Sequence, residues 1–275
     1  MTTHAPARTP MGPASLLAAA LVALTGASPA LAQDPTGDAR AFITINGGLQ
    51  AMTSGFSESI VFMESGALYP ADEGVISHAA AREQARFESG YRFENAPLLD
   101  VSGGVRLASY FGVGIGVSRF NIEETASVSA QVPHPFFLHR DRSISGDSPP
   151  LSRRETAVHL QGLAVVPAAS SFTVTAFGGP TLFSVEQQLV TDVNFTHAYP
   201  YDTASFSSAV IDRKSNSAVG FHVGADVAYY FSSNVGIGWL TRYSRAAVEL
   251  PSASGEMVEI DAGGLHTAVG LRVRF

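Results

Sequence analysis

The chain is predicted to be all-β: an eight-stranded antiparallel up-and-down barrel that crosses a membrane, with short turns at one end and long loops at the other. Three observations predict it: period-2 alternation in eight segments, alternation of short with long polar connections, and aromatic residues gathered at the short-turn end. The most informative stretch is the end of the sequence, where Leu265, Thr267, Val269, Leu271, Val273 and Phe275 alternate with His266, Ala268, Gly270, Arg272 and Arg274. A strand with an unbroken apolar row on one face and two arginines on the other suits a wall with lipid outside and a polar lumen inside.

In order, the segments run Ala41–Thr53, Pro97–Ser109, Gly112–Ala130, Glu155–Val166, Phe172–Val190, Asn216–Phe231, Val235–Leu250 and Ile260–Phe275. In the sixth, Val219, Phe221, Val223, Ala225, Val227, Tyr229 and Phe231 oppose Gly220, His222, Gly224, Asp226, Ala228 and Tyr230. The fifth carries Pro180 within the run, which predicts a bulge there. Tyr110-Phe111, Pro167 to Ser171 and Ser232 to Asn234 are tight links, whereas Ser54 to Ala96, Gln131 to Arg154, Thr191 to Ser215 and Pro251 to Glu259 are longer and more polar. Such asymmetry puts the short turns on the periplasmic side and the long loops outside. Within the first long connection, His78 to Phe87 reads as a short helix, or Ala85 to Phe93 as an extension of the second strand. Phe42, Tyr110, Phe111, Phe172, Tyr229, Phe231 and Phe275 fall near the short-turn end, and all but Phe275 are assigned to an aromatic girdle at the inner interface.

Residues 1–32 read as a secretory signal peptide: Arg8 precedes an apolar run from Ala14 to Leu24, too short to span a membrane, and Ala30-Leu31-Ala32 fits a cleavage site. Residues 33–40 are then a short periplasmic segment and 41–275 the barrel. Removing the signal peptide leaves 16 of the 17 basic and all 24 acidic residues, a charge of 16 − 24 = −8, which gives no basic footprint for nucleic acid. With no cysteine there are no disulfides, thiol nucleophiles or thiolate metal sites.

This pattern resembles the small outer-membrane β-barrels of Gram-negative bacteria, like the transmembrane domain of outer-membrane protein A, across Ala41 to Phe275. The resemblance implies a monomer in the outer membrane, in contact with lipid and lipopolysaccharide. It also implies that Phe275 and its strand are read by the barrel-assembly machinery. Unlike outer-membrane protein A, the sequence stops at its last strand, with no peptidoglycan-binding domain after it.

Projecting the strands inward gathers Asn46, Asp100, Arg106, His159, His222, Asp226, Arg242, His266, Arg272 and Arg274. An isolated buried charge is costly, so Asp100, Arg106, Asp226, Arg242, Arg272 and Arg274 are candidates for lumen ion pairs, with Asp226 paired to Arg242 or Arg272. Eight strands enclose space only for side chains, which favours a plug over an ion pathway. Gly112-Val113-Gly114-Ile115-Gly116 and Gly236-Ile237-Gly238 lack phosphate-loop spacing and read as lumen-facing glycines; no cofactor is implied. A Ser-His-acid site needs a hydroxyl two residues from a histidine on one strand face, yet His222 is flanked there by Gly220 and Gly224, and His266 by Gly264 and Ala268. No catalytic residue is therefore assigned.

His134, His139, Arg140, Asp141, Arg142, Arg153 and Arg154 cluster in the second long connection without the spacing of a metal motif, as a solvated loop whose basic residues could meet lipopolysaccharide phosphates. The expected function is non-enzymatic: envelope integrity, surface binding or adhesion through the loops. The alternatives are a narrow channel for small solutes or hydrophobic molecules, and a lipid A-modifying hydrolase.

Overall fold

The computed structural model describes residues 40–51, 54–65, 83–137, 140–168, 171–252 and 257–275. The expected signal peptide and residues 33–39 lie outside these, as do His78 to Arg82 of the expected helix and His139. The strands are β1 (Ala41–Ala51), β2 (Ser54–Ser65), β3 (Glu83–Phe93), β4 (Ala96–Arg106), β5 (Phe111–Glu124), β6 (Ser127–Val132), β7 (Arg142–Asp147), β8 (Leu151–Pro167), β9 (Phe172–His197), β10 (Ala204–Tyr230), β11 (Val235–Pro251) and β12 (Met257–Arg274). Eight of them close a barrel in the order β1-β12-β11-β10-β9-β8-β5-β4, and β4 pairs back onto β1. Four residues separate β4 from β5, β8 from β9 and β10 from β11, and backbone bonds such as Leu107 N to Phe111 O at 2.9 Å and Ala168 N to Phe172 O at 3.0 Å hold the strand ends together.

Alternation along the strands sets the two faces of the wall. Outward stand Ile45, Leu99, Val113, Leu160, Leu182, Phe221, Val223, Ile237, Trp239, Leu265 and Leu271, all exposed, which only lipid can cover without cost. Trp239 donates its indole N–H to Thr267 on the next strand at 2.9 Å, so this indole is paired on the apolar face. The upper edge of the apolar band can be read from register. Val117, Val158, Leu182 and Val219 form one row across β5, β8, β9 and β10; the next outward row up is Arg119, Thr156, Ser184 and Ser217.

Above that edge the wall continues. A membrane strand needs roughly 9–11 residues, whereas β9 has 26 and β10 has 27. The hairpin they form rises beside a second sheet, β2-β3-β6-β7, made from two hairpins inserted between β1 and β4 and between β5 and β8. Inside this head the rule of the wall reverses: its interior is apolar. Ile60, Phe87, Val128, Val132 and Ile144 of the second sheet pack against Leu189, Val190 and Val193 of β9, and Leu151, Phe183, Val248, Leu250 and Ile260 close the core below. Phe62 stacks between Phe87 and Phe195 at 5.7 and 6.4 Å.

Four expectations change. The third segment breaks at Thr125-Ala126, and its last part is β6 of the second sheet. The long connections hold strand: Ser54 to Ala96 contains the β2–β3 hairpin, Gln131 to Arg154 contains β7 and the start of β8, and Thr191 to Ser215 is mostly the upper parts of β9 and β10. Glu83 to Phe87 is strand, not helix, and Ala85 to Phe93 belongs to β3 of the second sheet, separated from β4 by Glu94-Asn95. Pro180 causes no bulge: His159 pairs Thr181 and Gly162 pairs Gly178 in one register, and pairing lapses only between them, where proline offers no N–H.

Candidate functional site

Period 2 sends Thr44, Asn46 and Gln50 of β1, Asp100 of β4, Ser118 of β5, His159 and Gln161 of β8, Thr181 of β9, His222 of β10, Arg242 and Ser244 of β11, and His266 and Arg272 of β12 into the lumen, where all are buried. Most of them sort into two networks. The first runs around one side of the barrel. Asp226 receives Arg272 through Nε at 3.1 and 3.0 Å and through the terminal nitrogen Nη2; Arg272 Nη1 donates to Asn46 Oδ1 at 2.5 Å. Asn46 in turn donates to Asp100 at 3.0 Å, Asp100 accepts Arg242 at 2.7 Å, and Arg242 donates to His266 Nδ1 at 3.1 Å. Two carboxylates thus meet two guanidinium groups, with Asn46 as the neutral bridge that satisfies one of each.

The second network crosses the opposite wall. Ser118 Oγ lies 2.9 Å from His159 Nε2, His159 Nδ1 lies 2.9 Å from Thr181 Oγ1, and Thr181 Oγ1 lies 2.8 Å from His222 Nδ1. Higher up, Arg153 and Glu155 face each other at 3.6 Å, and Glu155 accepts the Gly263 N–H at 2.9 Å. Arg153 is therefore a lumen residue and no part of a lipopolysaccharide-facing loop, a correction that its parity with His159 on β8 already implied.

Of the six residues expected to pair in the lumen, Asp100, Arg242, Asp226 and Arg272 do so, in the combinations just given. Arg106 and Arg274 sit lower, at the periplasmic mouth, where Arg274 donates to Ser233 O at 2.7 Å and lies 3.9 Å over the Tyr230 ring. They border a cavity of about 70 Å³ that Phe42, Tyr230, Arg242 and Arg272 also line. Phe42 is a second correction. It packs inward with Leu163, Val165, Phe177 and Leu240 and is no part of an outer girdle, because it shares the inward parity of Thr44 and Asn46. Tyr110, Phe111, Phe172, Tyr229 and Phe231 stand exposed on the outer surface of that end, as does Phe275.

Serine and histidine do meet inside the barrel, which the search along single strands missed because the hydroxyls come from neighbouring strands: Ser118 to His159, and Ser244 Oγ 3.4 Å from His266 Nε2. Neither makes a triad. The other nitrogen of His159 faces Thr181 and that of His266 faces Arg242, so among the described residues no carboxylate bonds either ring, and both are sealed from solvent.

A different surface forms at the tip of the head, where the β6–β7 and β9–β10 connections converge. His134 and Arg142 are buried there rather than solvated: His134 Nδ1 accepts the N–H groups of Phe136 and Phe137 at 3.1 and 3.2 Å, and Arg142 donates to Pro133 O at 2.7 Å and Tyr201 O at 3.1 Å. Tyr201 adopts φ of 71°, a left-handed conformation uncommon outside glycine, held by that bond and by its own N–H to Ala198 O at 2.7 Å. So anchored, Phe136, Phe137 and Tyr199 project outward, with Tyr199 85% exposed, beside an Arg140–Asp202 pair at 3.5 Å.

No protein-family model and no curated protein sequence matches the chain. Among solved structures, it is similar to the outer membrane protein OprG from Pseudomonas aeruginosa, with 14% identity over 86% of this chain and 96% of that one and a TM-score of 0.41. It is also similar to Neisserial surface protein A, at 10% identity over 86% and 97% with a TM-score of 0.42. The outer membrane protease OmpT from Escherichia coli is a further likeness, at 9% identity over 85% and 97% with a TM-score of 0.43. The architecture itself decides the class: backbone groups can be satisfied in lipid without helices only by a closed wall, and this wall is closed, apolar outside and polar within. The chain is a closed eight-stranded antiparallel β-barrel with an apolar outer wall and a polar lumen, the fold of a transmembrane barrel.

Proposed function

We propose that this barrel is a non-enzymatic anchor that holds a rigid β-structured head above the outer membrane for surface interaction or adhesion. The observation that carries the reading is the tip: three exposed aromatic rings and an arginine, fixed from below by buried His134 and Arg142. Exposed apolar rings are costly in water and are the residue types that dominate binding hot spots, together with arginine. The apolar core beneath them supports the same reading, since it stiffens the platform and caps the polar lumen. Arg153, Glu155, the paired guanidinium groups and the three lumen histidines fill the space that a solute would need.

The test is retention of whole cells carrying the chain on immobilised host-matrix protein, polysaccharide and bare hydrophobic surfaces. Cells with the native tip are expected to be retained on at least one of these, and a Phe136→Ser/Phe137→Ser/Tyr199→Ser variant with unchanged surface display is expected to lose that retention. Equal retention of both would overturn the reading.

A further inference from the structure

Arg106, Arg242, Arg272 and Arg274 line the cavity at the periplasmic mouth together with Arg40, which has an interaction of its own, and among the described lining residues the only carboxylate is Asp226. Pairing accounts for part of this excess: Arg272 holds Asp226, and Arg242 holds Asp100 from above. Arg274 meets a backbone carbonyl and a tyrosine ring, neither of which cancels its charge. The Arg106 guanidinium makes no ion pair among the described residues, although its backbone N–H bonds Arg40 O at 2.7 Å.

Like charges converge in this wall although nothing in the lumen requires them there. Two guanidinium groups without a carboxylate partner, those of Arg106 and Arg274, repel one another around a confined space, and an anion between them removes that repulsion. Thr173, Thr175, Gln161 and Tyr230 add neutral polar groups to the same lining, while Phe42, Leu163, Val165 and Leu240 close it with apolar surface. A volume of about 70 Å³ has room for several waters or for a group of a few heavy atoms. Guanidinium forks match the paired oxygens of an oxyanion better than a spherical halide.

We propose that the periplasmic mouth of the lumen is a binding site for a small oxyanion of phosphate size, with Arg106 and Arg274 as its principal ligands. Access is from the periplasm alone, because the paired charges and the apolar head close the lumen above. The site is separate from the tip, and neither reading depends on the other.

The experiment uses the purified, folded barrel in zwitterionic detergent, with inorganic phosphate as the probe and sodium chloride at matched ionic strength as the control. Binding is followed by titration calorimetry and by the shift of the thermal unfolding midpoint. Saturable binding of phosphate but not chloride is expected, weakened about tenfold or more in Arg106→Gln, as loss of a charge-assisted hydrogen bond predicts. Arg106→Lys should retain part of the affinity and Arg119→Gln, on the outer face, all of it. If Arg106→Gln fails to fold, Arg274→Gln is read in its place. Absence of saturable phosphate binding, an equal response to chloride, or undiminished affinity in the glutamine variants would overturn the proposal.

Discussion

Arg272 of β12 reaches across the whole width of β11 to hold Asp226 of β10, and the residue it passes over is Gly238. A Cβ at Gly238 would stand 2.7 Å from Arg272 Nε, so the absence of a side chain on the intervening strand is what lets the pair form. Charge pairing and glycine placement in this lumen are one device.

Asp226→Ala should therefore lower stability by about 3 kcal/mol, because Arg272 would remain in the lumen without its carboxylate. Asp226→Leu combined with Arg272→Met should recover most of that loss. Urea unfolding in detergent, followed by tryptophan fluorescence, measures both; a single variant as stable as the native chain would show that the pair carries no weight.

Gly238→Ala should cost about 1–3 kcal/mol through overpacking against Arg272 and the Val227 carbonyl. Gly47→Ala is the matched control, since a Cβ there meets nothing within 4 Å. The same unfolding midpoints decide it, and similar losses at the two glycines would refute the close approach.

Val269, 65% exposed on the lipid face, and Ala268, buried on the lumen face, test the register. Val269→Arg should destabilise the barrel by roughly 2–4 kcal/mol if it lies near the midplane, whereas Ala268→Ser should be mild. A reversed order would mean that every inward and outward side chain had been exchanged.

The filled lumen predicts low conductance in planar bilayers for the native chain. Opening it requires removing charges in pairs, so Asp100→Ala/Arg242→Ala should raise the conductance above native while Arg119→Ala leaves it unchanged. Large steady currents from the native protein would reject the plug.

In the head, Phe87→Ala deletes a fully buried ring and should cost about 3–5 kcal/mol locally. Limited proteolysis should then cut the second sheet while the β8 to β12 wall stays intact and keeps its heat-modifiable mobility on gels. Simultaneous loss of both would mean that head and barrel unfold as one unit.

The barrel strands were legible because lipid outside and charge inside impose a two-residue period that no turn or loop imitates. Parity alone also placed Asn46, Asp100, Asp226 and Arg272 on one face. It did not choose between Arg242 and Arg272 as the partner of Asp226, because that choice depends on the stagger between strands: Asp226 lies opposite Leu240, one step below Arg242. Phe42 was misplaced by treating aromatic type as stronger evidence than parity. The head was missed for a different reason. β6, Ser127-Val128-Ser129-Ala130-Gln131-Val132, alternates as a membrane strand does, but its apolar side faces a protein core, and period 2 does not say whether the apolar side meets lipid or protein.

The pairing of β3 with β6 joins segments that the chain separates by two complete wall strands, β4 and β5. Neither inserted hairpin can bury its apolar face alone, and the β9–β10 hairpin must supply the remaining side. All three loops have to pass through to the cell surface as open chain before any part of the head can close. Once Phe87, Val128 and Leu189 meet there, drawing a loop back would expose them to water again. The head is thus like a knot tied on the far side of a cloth: each loop can be drawn back only by undoing that apolar core.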